Sequence, residues 1–104
     1  MLRKMFDRIP KERFLNLYNY FENIRQDSQR RKLGEEHQEL IEELVLYDIG
    51  YGSKTSIIDE LADNFNLLFQ IMYAYDIESK EVYDRLIQKL ERTEQRKKDK
   101  YYEK

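Results

Sequence analysis

The sequence predicts an all-α protein built as a four-to-five-helix bundle, and three observations predict it. Charged residues make up 38% of the 104 residues, with one proline and three glycines, a composition that suits long solvated helices better than a turn-rich β architecture. Apolar residues recur at three- and four-residue spacing along most of the chain, and nothing alternates with period two over a useful length. No repeat with a period of about 20 to 50 residues is present.

Helix 1 is expected over about 10–26, because Pro10 suits a first helical turn, where its missing N–H costs nothing, and Phe14, Leu17, Tyr18, Phe21 and Ile24 follow at helical spacing. The pattern lapses around Asp27 and Ser28. Either residue can cap helix 2, about 28–47, whose inward positions are Leu33, Leu40, Ile41, Leu44 and Val45. Gly50, Gly52 and Ser53 mark a loop. Thr55 or Ser56 can cap helix 3, about 56–75, carrying Ile57, Ile58, Leu61, Phe65, Leu68, Phe69 and Met72. A short turn from Asp76 to Glu78 leads to Ser79 as the cap of helix 4, about 79–98, with Val82, Tyr83, Leu86, Ile87 and Leu90 as its stripe. The basic segment after Arg96 is expected to fray.

A chain of this length is one domain, residues 1–104, and buries only a modest core unless a second copy adds surface, so a homodimer or higher homo-oligomer is expected. Formal net charge is -2 although nineteen residues are basic, so there is no overall field of the kind a nucleic-acid binder presents. Arg96, Lys97 and Lys98 with Lys100 read as a short basic tail, and nucleic acid is not an expected partner. The absence of cysteine excludes disulfides, thiolate metal sites and cysteine nucleophiles. Neither a signal peptide nor a membrane span is expected, and the cytoplasm is the expected location.

At 100° per residue, Glu36, Glu39 and Glu43 fall on a narrow strip of helix 2 beside its apolar face, while Glu35 and Glu42 point further outward. Glu60 and Asp63 lie one turn apart on helix 3, with Leu67 continuing the same edge. If the two helices pack antiparallel through the glycine loop, the acidic strips face each other. Carboxylates meeting at a partly dehydrated seam repel, and a divalent cation resolves that conflict; all-oxygen ligation favours Mg²⁺ or Mn²⁺ over zinc. The alternative is a solvated acidic helix surface, which a chain this rich in glutamate also produces.

The run Lys32-Leu33-Gly34-Glu35-Glu36-His37-Gln38-Glu39-Leu40, followed about two dozen residues later by Asp59-Glu60-Leu61-Ala62-Asp63, resembles the E-E-x-x-E and E-x-x-D signature of the MazG-like all-α nucleoside triphosphate pyrophosphohydrolases. The likeness continues to Tyr83 and Lys89-Leu90-Glu91-Arg92 and spans about residues 28–96. It implies hydrolysis of a nucleoside triphosphate to the monophosphate and pyrophosphate, with Glu36, Glu39, Glu60 and Asp63 holding Mg²⁺, or Mn²⁺ in its place. Glu39, or second to it Glu35, is implied as the catalytic base. Lys32, Lys89, Arg92 and Arg96 are candidates for phosphate contacts, each with solvated helix surface as the plain alternative. Asn64 and Asn66 depart from the family pattern, in which apolar residues are frequent there, and Asn66 is a candidate contact to a metal-bound water or the nucleotide.

His37 reads as a surface residue, and Tyr47 or Tyr51 as a base contact near the loop. Gly50 and Gly52 lack the context of a phosphate-binding loop. Two other functions stay open. One is a phosphoribosyl-ATP pyrophosphohydrolase of the same superfamily; the other is a non-enzymatic helical interaction protein docking partners through its Leu and Tyr stripes.

Overall fold

The structure, a computed structural model, describes residues 8–103 of the chain; the N-terminal residues, at which no signal peptide is expected, lie in part outside them. Among the described residues there is no strand. The elements are α1 (Lys11–Ile24), α2 (Ser28–Asp48), α3 (Lys54–Ala74), α4 (Ser79–Lys98) and a closing 3-10 turn at Tyr101–Glu103. They fall into two compact units: Pro10–Asp76 holds α1 to α3, and the chain from Ile77 onward holds α4 and the 3-10 turn.

In the three-helix unit, α2 and α3 make the largest packing surface, and α1 packs mainly on α3. Residue 64 reaches residue 36 and residue 29 reaches residue 70, so later positions on α3 meet earlier positions on α2 and the hairpin is antiparallel. Pro10 sits just outside α1 as its cap, with φ -58° and ψ 133°, and its carbonyl accepts from Arg13 N at 3.1 Å. Phe14 is buried and meets the rings of Phe69 and Tyr73 at centroid distances of 5.7 and 5.8 Å, the tilted spacing aromatic pairs favour.

The start of α2 is capped differently from the expectation. Asp27 occupies the cap position in a left-handed conformation, φ 62°, and its side chain makes no capping bond; it pairs instead with Arg31 at 2.9 Å. The carboxylate of Glu22, on α1, accepts from the backbone N–H groups of Asp27 at 2.7 Å and Gln29 at 3.0 Å. A negative group from the neighbouring helix thus satisfies N–H groups that a helix start leaves open and meets the positive end of its dipole.

The other end of α2 closes as a Schellman turn. Tyr51 N donates to Leu46 O at 2.8 Å and Gly50 N to Tyr47 O at 3.1 Å, with Gly50 at φ +90°, where glycine carries no steric cost. Gly52 lies so close to the end of α2 that a Cβ would meet Tyr47 N at 2.6 Å. Ser53, two residues before the expected cap, terminates the loop: its Oγ accepts from Ser56 N at 3.1 Å. The cap position set by the preceding turn decides which of several nearby hydroxyls is used.

Burial also differs from the expected stripes. On α3 the buried residues are Asn64, Leu67, Gln70 and Tyr73, while Ile58, Leu61, Phe65 and Leu68 are exposed, as are Ile41, Leu44 and Val45 on α2. Helix α3 is apolar on nearly every side, so periodicity admits more than one inward face and packing against α1 and α2 selects the one through positions 64, 67, 70 and 73.

In the second unit, Glu78 rather than Ser79 caps α4, its N–H donating to the Glu81 carboxylate at 2.9 Å. The basic segment does not fray after Arg96. It stays helical to Lys98, and the Arg96 guanidinium lies 4.8 Å from the centre of the Tyr101 ring. Cations in a last turn complement the helix dipole, and the ring adds a cation–π contact.

Candidate functional site

The α2–α3 seam is fastened by Asn64. Its buried Nδ2 donates to the backbone carbonyl of Glu36 at 3.0 Å and to that of Glu60 at 2.7 Å, so a single amide ties the two helices together where their carboxylates lie. There, oxygens of Glu36, Glu60 and Asp63 come within 4.8 Å of one another. Glu36 is only 6% exposed, an environment that carboxylates avoid unless paired.

The pairing is incomplete. Lys32 Nζ reaches Glu36 Oε1 at 3.1 Å and Glu35 at 3.7 Å, but Oε2 of Glu36 and Oε2 of Glu60 are buried with no hydrogen-bond partner. Buried acceptors of this kind cost about 1–3 kcal/mol each, more when charged. The strain appears in the proton affinities. Loss of hydration, followed by repulsion from Glu39, Glu36, Asp63 and Glu43, pushes the Glu60 carboxyl above the ordinary glutamate value. The charge of Glu36 is the main cause of the same upward shift at Glu39, followed by lost hydration. Lys32 is shifted upward in turn, chiefly by its hydrogen bond to Glu36. One ammonium stands among three carboxylates, those of Glu35, Glu36 and Glu39.

That donor set fits a hard divalent cation. Oxygens opposite each other across Mg²⁺ stand about 4.2 Å apart, since each lies about 2.1 Å from the ion. The span of 4.8 Å closes to that with a small side-chain movement. Nitrogen and sulfur, which zinc prefers, are missing from the cluster.

A cavity of about 420 Å³ adjoins the cluster and shares Glu36 and Asp63 with it, a volume within the range of small-molecule sites. Glu35, Lys32, Arg25 and Arg31 bring charge to its wall, and Asn66, Gln29 and Gln70 bring amides. Negative and positive groups therefore share one recess. A phosphate chain bridged by cations to the carboxylates and held by guanidinium groups suits such a wall.

Of the residues singled out in the sequence, Glu36, Glu60 and Asp63 come together, and Glu39 stands close enough to feel the charge of Glu36 and to raise the proton affinity of Glu60. Glu35, Lys32 and Asn66 are on the cavity wall, with Asn66 Oδ1 accepting from Gln70 Nε2 at 3.0 Å. Lys89 and Arg92 are exposed on α4, in the other unit, and Arg96 is engaged with Tyr101. Tyr47 and Tyr51 are exposed, Tyr51 at 83%, and neither lines this cavity. His37 is exposed. Sequence reasoning missed Gln29, Gln70, Arg25 and Arg31, and noted Asn64 only as a departure from a pattern. Gln70 alone carried a signal, as a polar residue in register with Leu67 and Tyr73.

Compared with protein-family models, with curated proteins and with solved structures, the chain matches none of them. Its own residues define the class: a protein whose described residues are all helix, loop or turn, with a carboxylate cluster in which Glu36 is buried, Glu60 half-buried and Asp63 exposed, beside a cavity of small-molecule size.

Proposed function

We propose that the protein is a Mg²⁺-dependent nucleoside triphosphate pyrophosphohydrolase of the MazG-like kind, breaking the bond between the α- and β-phosphates to release the monophosphate and pyrophosphate. The observation that carries the proposal is the pair of buried, unpartnered oxygens on Glu36 and Glu60 beside Asp63, next to a cavity whose wall also holds Lys32, Arg25 and Arg31. Carboxylates kept unpaired in a dry seam are costly in the absence of a cation, so the arrangement suits one that binds there. Glu36, Glu60 and Asp63, with Glu39 beside them, are the residues that would hold Mg²⁺ or Mn²⁺. An ion held by these carboxylates would supply positive charge for the phosphate oxygens and a lower pKa for the attacking water.

The chain's own residues supply the rest. Glu39 is the first choice to accept the proton from the attacking water, because its neighbour Glu36 raises its proton affinity, and Glu35 is the second. Lys32, which pairs with Glu36 at 3.1 Å and stands on the cavity wall, would meet the phosphates. Arg25 and Arg31 hold the leaving pyrophosphate. The exposed Ile58, Leu61, Phe65 and Leu68 on α3 support a homodimer that covers them, since contiguous apolar surface of this kind marks interaction sites. A substrate drawn from the nucleotide pool puts the enzyme in the cytoplasm.

The test is pyrophosphate release from each common NTP and dNTP, with and without Mg²⁺ or Mn²⁺. Metal-dependent release is the expected outcome. Absence of release with every nucleotide sinks the proposal and favours the interaction-protein alternative, for which the same exposed stripe would be the docking face. Light scattering at micromolar concentration tests the dimer, and a monomer's mass rejects it.

A further inference from the structure

Four of the seven buried residues among those described are polar: Gln29, Glu36, Asn64 and Gln70. Asn64 fastens the hairpin and Glu36 belongs to the carboxylate cluster. Gln29 and Gln70, at 3% and 2% exposure the most buried of all, also join α2 to α3, yet keep polar atoms that this contact does not use. Gln29 Nε2 donates to Gln70 Oε1, and Gln70 Nε2 donates to Asn66 Oδ1 at 3.0 Å. A primary amide has two donors and one acceptor oxygen, so these bonds leave Gln29 Oε1 and a second N–H on each glutamine uncommitted. Both residues line the cavity, as does the ring of Phe21.

We infer that Gln29 and Gln70 are the specificity-determining residues of this cavity, reading the hydrogen-bonding edge of a nucleotide's base while the carboxylate cluster takes its phosphates; this rests on the pyrophosphohydrolase reading. Adjacent amide donors and acceptor match the planar donor and acceptor edges that nucleobases present, and amide side chains pair with such edges in two bonds at once. Phe21 offers an apolar face to the same occupant. Gln29 and Glu36 are seven residues apart on α2, about 10 Å along its axis, a span suited to the distance from a base edge to the phosphate chain. A site built on buried hydrogen-bonding groups rejects the wrong partner strongly, because a mismatched base leaves them unpaired.

The experiment compares the wild type with Gln29→Met and Gln70→Met, which keep side-chain length and remove the amide. Steady-state kcat/KM is measured for all common NTPs and dNTPs with Mg²⁺. In parallel, the side-chain amide NMR signals of Gln29 and Gln70 are followed while nucleoside monophosphates are added without metal. The expected result is that the wild type prefers one base, that each substitution flattens this preference by about 10- to 100-fold, and that the amide signals move only with the preferred base. Equal use of all bases by the wild type overturns the inference. So does an unchanged ranking in both variants with a lowered Tm, which would make the glutamine pair a clamp between α2 and α3. If no nucleotide is hydrolysed but base-selective binding is seen and lost in the variants, the inference stands and the enzymatic reading falls; with neither hydrolysis nor binding, both fall.

Discussion

Two buried regions of the three-helix unit are built on opposite principles. Between α1 and α3, Phe14 packs with Phe69 and Tyr73, three rings whose centres lie 5.7 to 6.0 Å apart. Along the α2–α3 seam the buried groups are Glu36, Asn64, Gln29 and Gln70. The aromatic region holds the unit together by removing apolar surface from water, a non-directional gain that tolerates substitution by residues of similar size. The seam gains little in that way and sequesters charge and amide groups that are individually unfavourable. Stability comes from the aromatic region and, under the proposed function, chemistry belongs to the seam, so a substitution of a ring or of a carboxylate is expected to affect one and spare the other, while the amide of Asn64, which ties the helices, affects both.

The sharpest separation is expected from Glu36→Gln. Loss of a central ligand lowers metal-dependent turnover by about 100-fold or more, while thermal unfolding without metal stays at the wild-type temperature or rises, since one repelling charge has gone. A fall in Tm with turnover intact would break the comparison. Asn64→Leu is next: it removes the donor to two buried carbonyls and should lower stability by about 1–3 kcal/mol in urea unfolding, and turnover falls as well because α2 and α3 lose their tie. Phe14→Leu should cost about 1–2 kcal/mol by the same measurement with kcat unchanged. A kcat that drops with it would mean the two regions are coupled.

The smallest effect is on pH dependence. Glu60 and Glu39 hold protons more tightly folded than the ordinary value of 4.5 for an unfolded glutamate. Between that value and the raised one the folded chain carries protons that the unfolded chain has released, so stability is full below about 4.5 and declines as pH climbs through the window. Tm of the metal-free protein should therefore fall from weakly acid to neutral pH. Saturating Mg²⁺ should offset the fall, because the ion binds the charged form. A Tm that rises over the same range without metal would contradict the crowded-carboxylate account.

The four helices were legible in the sequence because each carries enough apolar residues at helical spacing to fix its length within a few positions. Their caps were less legible. Glu22 caps α2 from another helix and Ser53 is chosen over Thr55 and Ser56 by the turn before it, and neither fact is local to the capped segment. On α3, an excess of apolar residues hid the inward face. The carboxylates were legible as a set because a three-residue spacing recurs on two helices joined by a short loop, which brings Glu36, Glu60 and Asp63 together. The amides were less so, since glutamine is ordinary on any solvated helix: register with Leu67 and Tyr73 hints at Gln70, and only the packing reveals Gln29 as buried.

The seating of Gly52 on the backbone of Tyr47 has an effect on how this hairpin can change over generations. With that turn fixed, the rotational phase of α2 relative to α3 is counted off from the loop like notches on a key. Inserting a single residue between Glu43 and Asp48 would swing Glu36 by about 100° around its axis without altering one amino-acid type in the acidic run. Descendants can exchange much of the surface freely, yet the interval between the glycine turn and the inward glutamate must keep its length.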